Sequence, residues 1–257
     1  MKDLDLVEIK NRILEAGEII KKNICPKDIT EKTNKHDLVT NVDKEVEIFF
    51  RKKINDNYPE DGIIAEEKMG KKATSMKNRV WILDPIDGTA NFIFERKNFA
   101  IMLGIYEDNK PIYGAIYDVM NEELWEGKTS LGVFVNGKKY ELNKNLSLDD
   151  GIIELSSVML TGHRNEKFYN LINKSRGFRV RGACSIEAIY VFKGLATSAV
   201  HTLAKAWDVA AVDVIAKELG LISKSIDGGN FDFLDDELPS IVAFPKAYDE
   251  IMKILKK

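Results

Sequence analysis

The sequence predicts a protein of mixed class, with an α+β part up to about residue 142 and strand-helix alternation beyond it. Apolar residues recur at helical spacing near the start of the chain, and short β-prone runs separated by turn residues fill residues 99–142. We therefore predict a first lobe formed by residues 1–142 and a second lobe formed by residues 143–257.

Two helices are predicted at the start of the first lobe. Within residues 4–20 the apolar side chains recur at steps of three and four, with charged side chains on the opposite face. A second such pattern covers residues 42–54 and ends before Pro59, which cannot continue a helix. The polar, basic stretch between them, residues 27–37, is predicted to be a loop.

Two short strands follow, and each ends in acidic residues. Residues 62–65 predict a strand that leads into Glu66 and Glu67, and residues 80–83 predict a strand that ends at Asp84. A meander of β-prone runs comes next, at 100–106, 111–117, 123–126 and 131–135. Asn136-Gly137 then indicates a hairpin, because both residues tolerate the positive φ of a type I′ turn.

The second lobe is predicted to alternate strands and helices. Strands are expected at 151–158 and 196–203, and helices at 165–174, 186–193 and 207–220.

Composition excludes several classes of protein. With 44% hydrophobic and 31% charged residues, the chain is too apolar to be disordered. The net charge of −3 comes from 38 basic and 41 acidic residues mixed along the chain, which disfavours nucleic acid as a partner. The two cysteines, Cys25 and Cys184, form no CxxC pair, so neither a disulfide scaffold nor a zinc site is predicted. No segment is apolar enough for a signal peptide or a membrane span, and we predict a cytoplasmic protein.

The strongest functional signal lies at residues 81–92, where an apolar run meets two carboxylates. Asp84 and Asp87 are three positions apart with Pro85 between them, so a turn is expected to bring both carboxylates to one point. Taken alone, this pattern is equally explained by two aspartates that cap the following helix.

The residues that follow favour a binding site. Gly88 lets the backbone approach an anion closely, and Thr89 offers a hydroxyl and an amide at a predicted helix start, where phosphate groups bind. Carboxylates beside an anion site require a cation between them, and an all-oxygen ligand set selects Mg²⁺, with Mn²⁺ as a substitute.

Four motifs in order resemble the inositol monophosphatase family, the lithium-sensitive, magnesium-dependent sugar-phosphate phosphatases. They are residues 37–43 (DLVTNVD), 65–67 (AEE), 84–92 (DPIDGTANF) and 207–211 (WDVAA). The resemblance implies a layered α/β/α/β/α sandwich, a homodimer and a phosphomonoesterase activity.

The resemblance also implies a two-metal site. Glu66, Asp84 and the backbone carbonyl of Ile86 would hold the catalytic metal, and Asp84, Asp87 and Asp208 would hold a second one. Glu67 would assist through ordered water at a further, weaker site.

The phosphate and the attacking water are assigned in the same way. The amides of Gly88 and Thr89 would hold the phosphate, while the Thr89 hydroxyl and Asp43 would orient and deprotonate the water. Lys32 matches a basic residue in a loop over the site, or is an ordinary surface lysine. Asp37 ranks below Asp43, because a turn or cap residue explains it equally well.

Residues in the second lobe would contact the alcohol part of the substrate. Arg179, Gly182 and Ala183 match a family segment that approaches the sugar ring, and His201 stands where many inositol phosphatases carry a glutamate. The histidine at position 201 departs from the inositol pattern and weakens the case for inositol itself. Inositol 1-phosphate is kept as the first substrate hypothesis, with fructose 1,6-bisphosphate or the 2′-phosphate of NADP as alternatives and 3′-phosphoadenosine phosphatases a weaker one. A regulatory binding protein that reuses this fold is the non-enzymatic alternative. No role is assigned to His36 or His163.

Overall fold

The structure is a computed structural model that describes residues 2–32, 38–156 and 166–256. The helices in these ranges are α1 (Leu6–Lys22), α2 (Asn41–Asn57), α3 (Thr89–Phe94), α4 (Glu166–Lys174), α5 (Cys184–Phe192), α6 (Ala206–Glu218) and α7 (Pro245–Leu255). None of these helices combines the length and the apolar character that crossing a membrane requires.

The strands form one small and two large sheets. The first nine are β1 (Ile29–Glu31), β2 (Leu38–Thr40), β3 (Gly62–Ala65), β4 (Arg79–Asp87), β5 (Ala100–Glu107), β6 (Lys110–Asp118), β7 (Glu123–Lys128), β8 (Gly132–Val135) and β9 (Lys138–Tyr140). The others are β10 (Ile152–Leu155), β11 (Phe178–Arg179), β12 (Ala196–His201), β13 (Ile222–Ser225) and β14 (Ser240–Ala243).

The two large sheets differ in direction and composition. The first has seven strands in the order β3-β4-β5-β6-β7-β8-β9, and its one parallel pair is β3 with β4. The second has five strands in the order β11-β10-β12-β14-β13, with β10 parallel to both β11 and β12. The short strands β1 and β2 pair with each other, antiparallel.

Helices cover both sheets and fill the space between them. Alternate residues of β5 point to opposite sides, so that Ile101 and Leu103 pack with α1 and α2 while Met102 faces the central layer. Helices α5 and α6 lie between the two sheets, and α7 packs on the far face of the second sheet beside α4. This arrangement confirms the predicted α/β/α/β/α sandwich.

Helix α6 is held close to the first sheet by a row of glycines. Gly104, Gly114 and Gly127 are neighbours in register on β5, β6 and β7. A Cβ atom added to Gly114 would lie 2.8 Å from the backbone oxygen of Ala211 in α6, and one added to Gly104 would lie 2.7 Å from Ala210 Cβ. The glycines are therefore required where the helix backbone approaches the strands.

Strand β4 is longer than predicted. It continues through Asp84 to Asp87 with a shift of register between these two residues, whereas the sequence predicted a strand that ends at Asp84 and a turn after it. Pro85 is tolerated because β3 has already ended, with Ala65 opposite Leu83, so no neighbour on that side needs its missing N–H. The carboxylates therefore project from an irregular strand end.

Most other predicted elements are present with small shifts of their ends. The hairpin at Asn136-Gly137 is confirmed, with φ values of 49° and 79°. Helix α5 begins two residues before the predicted start at residue 186, while β2, β11, β13, β14 and α7 were not predicted. The loop prediction for residues 27–37 is wrong at β1, which pairs there with β2. Asp37, His36 and His163 lie outside the described residues, as do the end of the strand predicted at 151–158 and the first residue of the helix predicted at 165–174. The division at residues 142 and 143 stays a prediction.

We expect Gly114→Ala to lower the free energy of unfolding by about 1–3 kcal/mol, because the added methyl group forces α6 away from β6. Urea unfolding would measure this. Gly229→Ala is the matched control: its Cβ would meet only the end of the exposed Asp227 side chain, at 3.1 Å, and no backbone atom, so we expect a change within about 0.5 kcal/mol. Equal urea midpoints for the two variants would show that the close approach of α6 to the sheet does not contribute to stability.

Candidate metal centre

The acidic residues of the candidate site are brought together by the ends of three elements. Glu66 directly follows β3, Asp84 and Asp87 lie at the end of β4, and Asp208 is in the first turn of α6. Because β3 and β4 are parallel, their carboxyl ends meet at the same edge of the sheet. The structure therefore places Glu66, Asp84 and Asp87 at this edge, and the first turn of α6 brings Asp208 close enough to act on them electrostatically.

The acidic residues repel one another in a buried setting. Asp84 is only 2% exposed, and its burial, followed by the charges of Glu66 and Asp87, raises its pKa well above the ordinary value. Burial and the charges of Asp87 and Glu66 also raise the pKa of Asp208, to about 8. Burial raises the pKa of Asp87 as well, against two backbone hydrogen bonds that lower it.

Backbone amides donate to three of the carboxylates, to one oxygen of Asp84 and of Asp208 and to both oxygens of Asp87. Asp84 Oδ1 accepts a hydrogen bond from the Ile86 amide at 3.0 Å, and Asp208 Oδ2 accepts one from the Lys205 amide at 2.7 Å. Asp87 accepts hydrogen bonds from the two amides at the start of α5, those of residues 184 and 185, at 3.3 and 2.6 Å. The alternative that Asp84 and Asp87 cap the following helix is wrong, because the N-cap of α3 is Gly88 and no side chain caps that helix. Asp87 instead binds the first amides of α5, a different helix.

The donor set fits a hard divalent cation. The carboxylates supply only oxygen, and a cation would offset both the burial and the mutual repulsion that raise the pKa values of Asp84 and Asp208. Cys184 adds one sulfur: Asp87, Cys184 and Asp208 each offer a ligand atom within 4.8 Å of the others. Burial, together with the charges of the neighbouring carboxylates, raises the pKa of the Cys184 thiol well above its ordinary value.

Lys32 lies at this site and is more than a surface lysine. Its Nζ donates to Glu66 Oε1 at 2.7 Å and also contacts the Glu67 carboxylate, and its own side chain is 21% exposed. Burial and the charge of Glu66 raise the pKa of Glu67 to about 7. Through these two contacts, Lys32 neutralises part of the negative charge of Glu66, a predicted metal ligand, and of Glu67.

Glu47 supports this corner and was not singled out from the sequence. It is fully buried in α2, accepts the amide hydrogens of Glu67 and Met69 at 2.7 and 2.8 Å, and pairs with Arg51 at 2.6 Å. The signal that could have identified it is an acid-base pair at positions i and i+4 on the apolar face of a helix.

Asp43 and Thr89 meet as predicted. The Thr89 hydroxyl lies 3.2 Å from Asp43 Oδ1 and 3.1 Å from the Ile86 carbonyl oxygen, either of which can accept its single proton. Asp43 Oδ2 also accepts the Thr40 amide, which closes a capping box at the start of α2. Burial is the main cause that raises the pKa of Asp43 to about 6.

Gly88 connects the predicted phosphate turn to the second sheet. It has a left-handed backbone, with φ of 88°, and a Cβ atom there would lie 2.9 Å from Ala183 Cβ. Gly182 has a φ of 73°. Asn91, whose role the sequence did not reveal, donates to the backbone oxygens of Asn98 and Arg181 at 2.8 and 2.7 Å. The turn and residues 181–183 are therefore held against each other.

His201 is turned toward a partner that the sequence did not indicate. The ring is 6% exposed and its Nε2 lies 2.5 Å from Glu187 Oε2, while Glu187 Oε1 accepts the amides of Arg181 and Gly182 at 2.8 and 3.2 Å. Burial lowers the pKa of His201, but the hydrogen bond to Glu187 and the nearby carboxylates outweigh it and raise the pKa overall. Substrate contact by His201 stays a prediction.

Comparison with known proteins identifies the family. The sequence model of the inositol monophosphatase family matches residues 2–256. The chain belongs to this family. Inositol-1-monophosphatase of Bacillus subtilis is 35% identical over 231 residues, which cover 88% of this chain and 87% of that protein.

Two further proteins of this inositol monophosphatase family are similar over most of their length. Fructose-1,6-bisphosphatase/inositol-1-monophosphatase of Thermotoga maritima is 30% identical over 232 residues, which cover 89% of this chain and 86% of that protein. The crystal structure of an IMPase/NADP phosphatase with Mg²⁺ and phosphate superimposes with a TM-score of 0.88 at 30% identity, covering 96% of this chain and 92% of the other.

The chain is therefore an inositol monophosphatase family phosphatase, a metal-dependent phosphomonoesterase. The metal centre described above lies in a chain whose likeness to an Mg²⁺-bound member extends over the whole fold.

We expect that, once EDTA has removed bound metal, the free energy of unfolding of this family member falls as the pH rises. The pKa of Asp208 is about 8 in the folded protein against an ordinary 3.8, so between these values the folded state binds more protons than the unfolded state. Raising the pH in this window then lowers the free energy of unfolding, by at most about 1.4 kcal/mol per pH unit for each such group. Urea unfolding at a series of pH values measures the slope.

Two comparisons make this test specific. Asp208→Asn removes one of the groups and should flatten the slope, and saturating Mg²⁺ should flatten it in the unsubstituted protein. A metal-free protein whose stability rises between pH 4 and pH 8 would contradict the repulsion that the buried carboxylates imply.

Proposed function

We propose that this protein hydrolyses the monophosphate of a small polyol or sugar, with inositol 1-phosphate as the first candidate and Mg²⁺ as the metal. The observation that carries the proposal is the convergence of four carboxylates, Glu66, Asp84, Asp87 and Asp208, beside the Gly88 turn. In a protein that only binds a partner, such a cluster would cost stability and serve no purpose. A cytoplasmic location and assembly as a homodimer stay predictions.

The proposed ligands divide into two sets. Glu66, Asp84 and the Ile86 carbonyl would hold one Mg²⁺, and Asp84, Asp87 and Asp208 a second, with Mn²⁺ as a possible substitute. When bound, the metal ions supply charge neutralisation for the phosphoryl oxygens and lower the pKa of water. Hydrogen bonds from backbone amides hold Asp84, Asp87 and Asp208 in place before a metal ion binds, so little reorganisation of these side chains is needed.

Thr89 and Asp43 would remove the proton of the attacking water. The Thr89 oxygen can accept a hydrogen bond from the water while its own proton points to Asp43 Oδ1 at 3.2 Å. With a pKa of about 6, Asp43 is ionised at neutral pH and still basic enough to accept the proton that Thr89 passes on. No protein nucleophile is needed in this scheme.

The phosphate would lie against the amides of Gly88 and Thr89. A side chain at residue 88 would meet Ala183 Cβ at 2.9 Å and the Asn98 oxygen at 3.1 Å, and would close the gap between this turn and residues 181–183. The alcohol part of the substrate would then lie along Gly182 and Ala183, next to the phosphate. His201 would influence the position of the alcohol part indirectly, because it binds Glu187, which accepts the Arg181 and Gly182 amides.

A substrate with a second phosphate is the second candidate. Arg181 is adjacent to Gly182, and its guanidinium stacks on Tyr190 at 3.5 Å from the ring centroid and pairs with Glu154 at 3.1 Å. The Arg181 guanidinium, held next to the proposed position of the substrate's alcohol part, would favour a substrate with a second phosphate, such as fructose 1,6-bisphosphate or NADP. Both compounds appear in the names of relatives of this chain.

We expect Mg²⁺-dependent phosphate release from at least one compound in a panel of inositol, sugar and nucleotide phosphates. Asp84→Asn should lower kcat by at least about a hundredfold, which is about 2.7 kcal/mol of transition-state stabilisation, because a shared metal ligand is lost. Asp118→Asn is the matched control, a buried aspartate on β6 that binds Asn121, and should keep its activity.

The outcomes of the panel separate the classes of function. Turnover by Asp84→Asn at the level of the unsubstituted protein would refute the proposed mechanism. If the unsubstituted protein releases no phosphate from any compound at any Mg²⁺ concentration, a regulatory binding function becomes the better explanation.

We expect Glu187→Gln to change substrate binding and the titration of His201. The neutral amide no longer offsets burial of the imidazolium, so the pKa of His201 should fall, which NMR titration of the ring protons would measure. Because an uncharged amide oxygen accepts the Gly182 amide more weakly than the carboxylate does, KM should rise about three- to tenfold while kcat stays within about twofold. A variant with unchanged KM and an unchanged His201 titration would refute this role.

A further inference from the structure

The sulfur of Cys184 lies among the proposed ligands of the second metal. Cys184 is the first residue of α5, and its backbone amide donates to Asp87 Oδ1 at 3.3 Å. The Cys184 sulfur and one carboxylate oxygen each of Asp87 and Asp208 lie within 4.8 Å of one another. Small rotations of these side chains would let a single cation contact all three atoms.

The phosphatase function makes no use of this sulfur. Mg²⁺ prefers oxygen ligands, so Cys184 adds nothing to a magnesium site formed by carboxylates. A thiolate is a soft ligand that favours Zn²⁺, and still more Cd²⁺, over hard cations. The other cysteine, Cys25, is exposed and does not belong to this group of three potential ligands.

We propose that Cys184, Asp87 and Asp208 form a binding site for a thiophilic divalent cation, such as Zn²⁺ or Cd²⁺, which excludes Mg²⁺ from the second metal position. This proposal rests on the magnesium site proposed above, since both cations use Asp87 and Asp208. Binding forms one sulfur-metal bond and releases the thiol proton to water, with no change of oxidation state. Zn²⁺ would therefore inhibit the enzyme in competition with Mg²⁺.

Sulfur ligation can be observed without turnover. We would titrate the full-length, metal-free protein with Cd²⁺ and record the ultraviolet charge-transfer band of the thiolate-cadmium bond. The matched variants are Cys184→Ala and Cys25→Ser, because the chain has just these two cysteines. The unsubstituted protein and Cys25→Ser should show the band at one equivalent of Cd²⁺, and Cys184→Ala should lose it.

Zn²⁺ and Mg²⁺ affinities, measured by calorimetry, give the second readout. Loss of a partner behind a metal ligand alone costs about 10–100-fold in affinity, so loss of a direct ligand should raise the Kd for Zn²⁺ at least about tenfold in Cys184→Ala. The Kd for Mg²⁺ should change much less, so the ratio of the two affinities falls. Should Cys184→Ala fail to fold, Cys184→Ser retains the size of the side chain and likewise lacks the sulfur.

Two results would overturn the proposal. One is a charge-transfer band that persists in the folded Cys184 variants or disappears in Cys25→Ser. The other is an unchanged ratio of Zn²⁺ to Mg²⁺ affinity in the Cys184 variants. Neither measurement needs a substrate, so failure of the phosphatase panel leaves this test intact, and an active enzyme without the cadmium band would refute the Cys184 site alone.

Discussion

Repulsion among buried carboxylates is the constraint on which the rest of the structure depends. Glu66, Asp84, Asp87 and Asp208 come from three different elements, and burial together with the charges of these neighbours raises the pKa values of Asp84 and Asp208. A fold can keep such a group together only if its backbone is rigid and a cation balances the charge. Both the layered architecture and the local hydrogen bonds of the site serve this requirement.

The fold provides rigidity by attaching each acid to the end of an element. The start of α5 donates two amides to Asp87, and the backbone before α6 donates one to Asp208. Helix α6 is in turn fixed by the glycines of β5, β6 and β7, since only a residue without a Cβ atom allows this approach. The position of Asp208 thus depends on Gly114, a residue with no chemistry of its own.

The proposed phosphate and alcohol ends of the site are built in different ways. The phosphate end follows from short local motifs on β4 and α3, whereas the alcohol end depends on contacts between α5, β12 and residues 181–183. This difference explains why local motifs were enough to predict a family phosphatase, whereas the partner of His201 was not predicted. Nothing in the spacing of Glu187 and His201, fourteen residues apart in a helix and a strand, indicates that they meet.

The sequence by itself determined the ligand types, the Gly88 turn and the elements that carry them, because residue chemistry, φ preference and hydrophobic periodicity are local properties. It did not determine that β4 continues through Pro85, since that depends on where the neighbouring strand ends. Only the tertiary structure decided that Cys184 lies beside Asp87 and Asp208 and that Lys32 contacts Glu66. Such contacts join residues far apart in the chain, and the packing of α5 and α6 between two sheets sets them.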